Sequence, residues 1–145
     1  MNERAITKVA GTTMLAGQVR APLITLAEPV SFWGGYDAVT GTVTDRRHPD
    51  LGLCMTGAIV RMRAARGSSS GSSVLAEAIR LGTAPAGFVV LERDAILMLA
   101  ALVAKDLYGK TCVIVQVDKA AYDALDGARS LSIDAAAQVA VIDID

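Results

Sequence analysis

The chain has 145 residues, with 14 Lys+Arg against 15 Asp+Glu, and its net charge of -1 leaves no basic surplus to meet a phosphate backbone, which argues against nucleic acid as a partner. Hydrophobic residues make up 52% and charged residues 20%, below the usual share of about 25%. That balance excludes disorder and predicts that some apolar surface lies against a partner rather than water. The first third of the sequence reads as short strands between glycine turns, over 5–10, 18–20 and 23–26. A turn follows at Ser31-Phe32-Trp33-Gly34-Gly35, then apolar or β-branched runs at 42–44 and 58–62, with a polar loop over 45–50 between them. The second half changes character. The spacing of Val74, Leu75, Ala78 and Ile79 predicts a helix over 72–81 stopped by Gly82. A buried strand at 87–91 precedes a helix capped by Asp94, running to about Leu107 and ended by Gly109. This helix carries Ile96, Leu97, Met98, Leu99, Leu102 and Val103, so burial on more than one side is expected. A strand at 113–117, a short helix at 119–125 and strands at 131–133 and 139–144 complete the pattern. Strand, helix, strand, helix, strand implies a parallel α/β layer, and the β-rich first half makes the whole a β/β/α domain spanning 1–145.

Targeting and metal signals are few. The longest apolar run, 95–104, is bounded by Asp94 and Lys105 and falls well short of the roughly 20 residues a membrane span needs. Met1-Asn2-Glu3-Arg4 leads into mixed polar residues with no secretory pattern, so a cytoplasmic location and no membrane partner are expected. Cys54 and Cys112 each stand alone in an apolar context, the reading being buried reduced thiols. His48, the single histidine, has no companion ligand and reads as an exposed loop residue. No metal site built by this chain is expected.

The feature most able to carry chemistry is Arg66-Gly67-Ser68-Ser69-Ser70-Gly71-Ser72-Ser73, between a strand and a helix. Unpaired N–H groups at a helix start attract carboxylates and phosphates and favour a serine alkoxide. Gly67 and Gly71 allow close approach of the backbone to a ligand. A flexible Gly/Ser linker has the same composition, but here it would sever a strand from its crossover helix. No GKS or GKT follows, and no GxSxG or second histidine is present, so neither a Walker loop nor a nucleophile elbow fits. Phe32 and Trp33, before two glycines, read as a buried aromatic turn or as the wall of a pocket or interface. Asp45 reads as a turn former, and Arg46 and Arg47 as a solvated face.

Several segments in order resemble the swivel domain of aconitase X. They are Glu28-Pro29-Val30-Ser31-Phe32-Trp33-Gly34-Gly35-Tyr36-Asp37, Thr40-Gly41-Thr42-Val43, Asp45 through His48-Pro49, the Arg66-Gly67-Ser68 loop, Thr83-Ala84-Pro85-Ala86-Gly87 and 104–109. The likeness runs over about 6–133. It implies a single compact swivelling β/β/α fold and one part of an iron–sulfur hydro-lyase that is either split between two polypeptides or fused. The resemblance places the iron–sulfur cluster on a large subunit, the partner of this chain, and has iron act as Lewis acid on the substrate hydroxyl. It makes Ser68 the catalytic base, with Arg66, Gly67, Ser69, Ser70, Phe32, Trp33, Gly34 and Gly35 as substrate contacts. Ordinary aconitases carry a Gly-Ser-Ser-Arg-like segment. Here Ser70 stands at the arginine, which points away from citrate and isocitrate toward another small hydroxy acid. The Phe32-Trp33-Gly34-Gly35 form and the Asp45–Pro49 loop look closer to the bacterial type, whose substrate is cis-3-hydroxy-L-proline, than to the archaeal type acting on mevalonate 5-phosphate. A non-catalytic binding or carrier module, with His48 as phosphoacceptor, is the reading from another class; the glycine-threonine context of such carriers is missing.

Overall fold

Short apolar runs buried on both faces dictate the centre of the molecule. In the computed structural model, which describes residues 6–145, strands β1 (Lys8–Leu15), β2 (Gly17–Thr25), β5 (Ile59–Met62), β6 (Gly87–Val90), β7 (Val113–Gln116), β8 (Ser130–Ala135) and β9 (Val139–Ile144) close into a barrel. The order around it is β1-β7-β6-β5-β2-β8-β9, with β9 returning to β1. β2, β5, β6 and β7 run parallel, the last three joined through helices α1 (Gly71–Leu81) and α2 (Ala95–Tyr108), while β8, β9 and β1 pair antiparallel. The expected β/β/α arrangement is therefore present, with its parallel layer closed into a barrel. The expectations for Met1–Arg4 and for Ala5 lie outside the described residues.

Side-chain alternation divides the core in two. From β5, Ile59 points into the barrel with Val89, Val115, Leu131, Ile133 and Ile142. Val60 and Met62 point the other way, onto Leu75, Ala78 and Ile79 of α1 and Leu97, Ala100, Ala101 and Ala104 of α2. A small hairpin, β3 (Tyr36–Asp37) with β4 (Thr42–Val43), covers the end of this helical layer through Tyr36 and Val43. The short helix α3 (Lys119–Ala124) is capped by the Asp118 carboxylate, which accepts from Ala121 N. It is latched by buried Arg61, which donates to Thr25 Oγ1, Tyr122 O and Asp126 Oδ1.

Four expectations are corrected. The first strand runs on through Gly11-Thr12-Thr13 to Leu15. The two strands around Pro22 are one, because β2 changes partner there: it pairs with β8 up to Pro22 and with β5 from Leu23. α2 is buried on one face only, leaving Leu99, Leu102 and Leu107 52%, 50% and 65% exposed. His48 is buried, its Nε2 donating to Glu28 O at 2.9 Å while Nδ1 accepts from Asp50 N at 3.0 Å. Both ring nitrogens are thus occupied in pinning 26–31 to the 45–51 loop, which leaves no free nitrogen for a phosphoacceptor role. Among the described residues no helix is long and apolar enough to cross a membrane.

Candidate active site

β5 delivers the chain to the serine loop, and two ties hold the exit. The Asp94 carboxylate, buried, accepts from Ala65 N through Oδ2 and caps α2 by accepting from Leu97 N at 3.0 Å through Oδ1. Arg66 N donates to Val30 O at 3.1 Å, setting Arg66 beside Ser31 in a parallel bridge. One residue later Gly67 adopts φ +87°, and a β-carbon there would collide with the Ser31 hydroxyl and lie 3.0 Å from Ser31 Cβ. Only glycine satisfies both demands.

Beyond Gly67 the loop winds into α1. Ser68 Oγ accepts from Ser70 N at 3.1 Å, while Ser68 O, Ser69 O and Ser70 O accept from Gly71, Ser72 and Ser73 N at 2.9, 3.1 and 3.1 Å. Ser72 turns inward, its Oγ donating to Ser69 O at 2.8 Å. Ser70 is the N-cap, makes no side-chain cap bond, and is followed by no acidic residue in the first turn. The first turn of α1 therefore carries no carboxylate to offset the helix dipole, while the Gly71, Ser72 and Ser73 N–H groups are taken up by the loop carbonyls. Ser68, Ser69 and Ser70 are all exposed. Only Ser68 has its hydroxyl oxygen held by a backbone N–H, which favours a negative oxygen over a neutral one.

The aromatic turn adjoins this loop. A β-carbon on Gly71 would lie 3.4 Å from Trp33 N and 3.3 Å from Phe32 Cβ. Trp33 is 57% exposed, and Ser31 Oγ donates to Trp33 O at 2.9 Å. Phe32 goes the other way. It is fully buried, packing edge-on against Tyr36 and Phe88 with ring centroids 5.0 and 6.1 Å away. Its ring supports the turn from beneath, so the expected substrate contact through Phe32 is corrected to a supporting one. Gly34 is exposed, and Gly35 is buried with its N–H donating to Ser31 O at 3.1 Å. Arg66 is half-exposed and pairs with Asp45 Oδ2 at 3.2 Å. The Arg47 N–H and then the Arg66 guanidinium hold the Asp45 carboxyl below the usual carboxylate range. Such a solvent-screened pair contributes little, so it yields readily to another anion. Asp45 is the turn former read from the sequence; its tie to Arg66, like the roles of Ser31 and Asp94, depends on contacts across 20 or more residues that no local pattern reveals.

The thiols lie elsewhere. Cys112 is fully buried, its thiol donating to Pro85 O and pushed up to about 12 by burial. Cys54 is exposed, correcting the expectation of two buried thiols; its Sγ lies within hydrogen-bond reach of Thr56 Oγ1 and Thr40 O, and bonding from Thr56 to the thiolate lowers its pKa. Among the described residues no three His, Cys, Asp or Glu side chains gather as metal ligands. One protonated buried thiol and one thiol on an outer loop do not form a cage for an iron–sulfur cluster. A groove of about 470 Å³ between β1 and the ends of β6 and β7 brings no nucleophile and base together; its carboxylate, Asp118, is already the cap of α3.

Known proteins share the sequence pattern and the fold of this chain. The family model of the aconitase X swivel domain matches residues 8–142. A cis-3-hydroxy-L-proline dehydratase of Pseudomonas aeruginosa is 41% identical over 102 residues, 70% of this chain and 18% of that protein. The chain thus spans less than a fifth of that relative. A phosphomevalonate dehydratase small subunit of Methanothermobacter thermautotrophicus is 35% identical over 88 residues, 61% of this chain and 67% of that one. The crystal structure of holo aconitase X from Thermococcus kodakaraensis superposes with a TM-score of 0.75 at 25% identity, covering 93% of this chain and 97% of that one. The chain belongs to the aconitase X swivel-domain family.

Proposed function

We propose that this domain is the serine-bearing small part of an iron–sulfur hydro-lyase that converts cis-3-hydroxy-L-proline to 1-pyrroline-2-carboxylate. The observation that carries the reading is Ser68, exposed, with its oxygen held by Ser70 N–H at the start of α1. The 41% identity to a cis-3-hydroxy-L-proline dehydratase supports that substrate. In this reading the cluster and the remaining site residues belong to the large subunit. Ser68, as alkoxide, takes the proton from Cα; the 3-hydroxyl leaves with its bonding pair and is protonated, so that H from C2 and OH from C3 are lost together as one water; and the C2–C3 enamine left behind tautomerises to the pyrroline. A serine hydroxyl is far too weak an acid to ionise unaided at neutral pH. The Ser70 N–H, the positive end of α1 and exclusion of water on closure support its ionised form. Arg66 exchanges Asp45 for the substrate carboxylate at small cost, and Trp33 covers the ring.

The test is turnover by the assembled complex offered cis-3-hydroxy-L-proline and mevalonate 5-phosphate in parallel. Pyrroline formation from the first and none from the second is expected. The opposite result moves the assignment to a phosphomevalonate dehydratase small subunit, the second reading, which rests on similarity to a relative of which the chain covers 67%. Turnover of neither, by a complex carrying its full cluster, overturns both. The cysteines supply a further expected outcome. A Cys54→Ser/Cys112→Ala double variant is expected to leave the iron and sulfide content of the complex unchanged. In the isolated chain iodoacetamide should label Cys54 readily and Cys112 only after unfolding, as exposure of the one and burial of the other require.

A further inference from the structure

Helix α2, apolar from Ala95 to Ala104, is where the fold leaves large apolar side chains exposed in mid-helix. Leu99 and Leu102 are 52% and 50% exposed in mid-helix, where a lone globular domain would carry polar residues. Leu99 stands at the junction of two depressions. One, of about 150 Å³, lies between the helices against Ser72, Ser73, Ala76, Ala100 and Val103. The other, of about 400 Å³, runs along α2 past Met98 and Leu102 to Ala95 and Arg93. The strip is continuous with the serine loop. Ser72 and Ser73 directly follow it, and Ile96 Cγ2 lies 3.6 Å from where a β-carbon on Gly71 would stand. Whatever covers the strip therefore lies beside the start of α1.

We propose that this face of α2, with the α1–α2 groove, is the docking surface for the large subunit; the inference rests on the reading above that such a subunit completes the site. Two observations select this occupant over a second copy of the chain. First, in the Pseudomonas aeruginosa relative the matched segment is only 18% of the polypeptide, so most of that protein lies outside the domain and has to meet it somewhere. Second, a copy of this chain pairing strip to strip would bring the same side chains to it, and the strip along α2 holds Arg93 but no carboxylate to pair with it. The partner surface that fits is apolar, with an acidic group at the end where Arg93 stands.

The experiment measures affinity of the chain for its large subunit. Leu99→Glu/Leu102→Glu is expected to weaken binding about 100-fold or more, while Val139→Glu, which alters a 59% exposed position on β9, leaves it unchanged. Circular dichroism and Tm check that both variants fold. Hydrogen exchange on the unmodified chain needs no variant: amides of α2 and the start of α1 should gain protection on complex formation. Wild-type-like assembly by the double variant, or protection confined to other elements, overturns the docking surface and leaves the Ser68 reading standing. Self-association of the isolated chain that the double variant abolishes, with large-subunit binding intact, overturns it in favour of a second copy. Loss of assembly in the double variant alone upholds the surface even if the wild-type complex turns over no hydroxyproline, in which case the substrate reading is what falls.

Discussion

Ser68→Ala, assembled with its large subunit, is expected to lose about 10²-fold or more in kcat with KM little changed, because it removes a group that acts chiefly in the transition state. The three neighbouring serines share exposure and chemistry but not geometry. Ser68 Oγ is held by Ser70 N–H at the helix start, whereas Ser69 serves the loop through its carbonyl, which accepts from both Ser72 N and Ser72 Oγ. Ser70 makes no cap bond with its side chain. Ser69→Ala and Ser70→Ala should therefore act on KM more than on kcat. Exchange of the substrate Cα hydrogen with deuterated solvent isolates the proton-transfer step: it should vanish with Ser68→Ala and persist in the other two. Near-normal turnover and exchange in a correctly assembled Ser68→Ala enzyme would falsify the assignment.

What the sequence reveals and what it hides follow from the range of the interactions involved. The β5-α1-β6-α2-β7 unit is legible because strands buried on both faces read as unbroken apolar runs such as Gly87–Val90, and because Asp94, Gly82 and Gly109 mark the helix ends. Closure of the barrel is not legible. It depends on β9 pairing with β1 from opposite ends of the chain, and no local pattern announces that. The one-sided burial of α2 is hidden for a different reason: when every face of a helix is apolar, periodicity no longer says which face turns inward. His48 sits among polar neighbours that read as a loop, yet Glu28 O and Asp50 N draw it inside. At the candidate site the same division holds. The serines and glycines stand out locally, while Ser31 and Asp94, which fix where the loop begins, act through contacts distant in sequence.

That placement makes Gly67 the position where a single methyl group should do most harm. Gly67→Ala meets two independent penalties: a left-handed φ of +87° that an L side chain adopts only under strain, and a clash with Ser31, whose Cβ would lie 3.0 Å away. Strain of this kind costs about 1–3 kcal/mol, and urea unfolding of the isolated chain should show a loss in that range. The loss of turnover should be larger than stability alone accounts for, since relief of the clash moves the residue next to Ser68 and a small misplacement of a reacting group is costly. The double variant Gly67→Ala/Ser31→Ala separates the two penalties. Removing the Ser31 hydroxyl relieves the worst of the clash but not the backbone strain, and it also removes the bond to Trp33 O, worth about 0.5–1.5 kcal/mol. Partial recovery of turnover, with stability still below wild type, is therefore the expected pattern. Wild-type stability and turnover in Gly67→Ala would mean that the loop reaches its working geometry without the left-handed turn, and that Ser31 does not fix the place of Ser68.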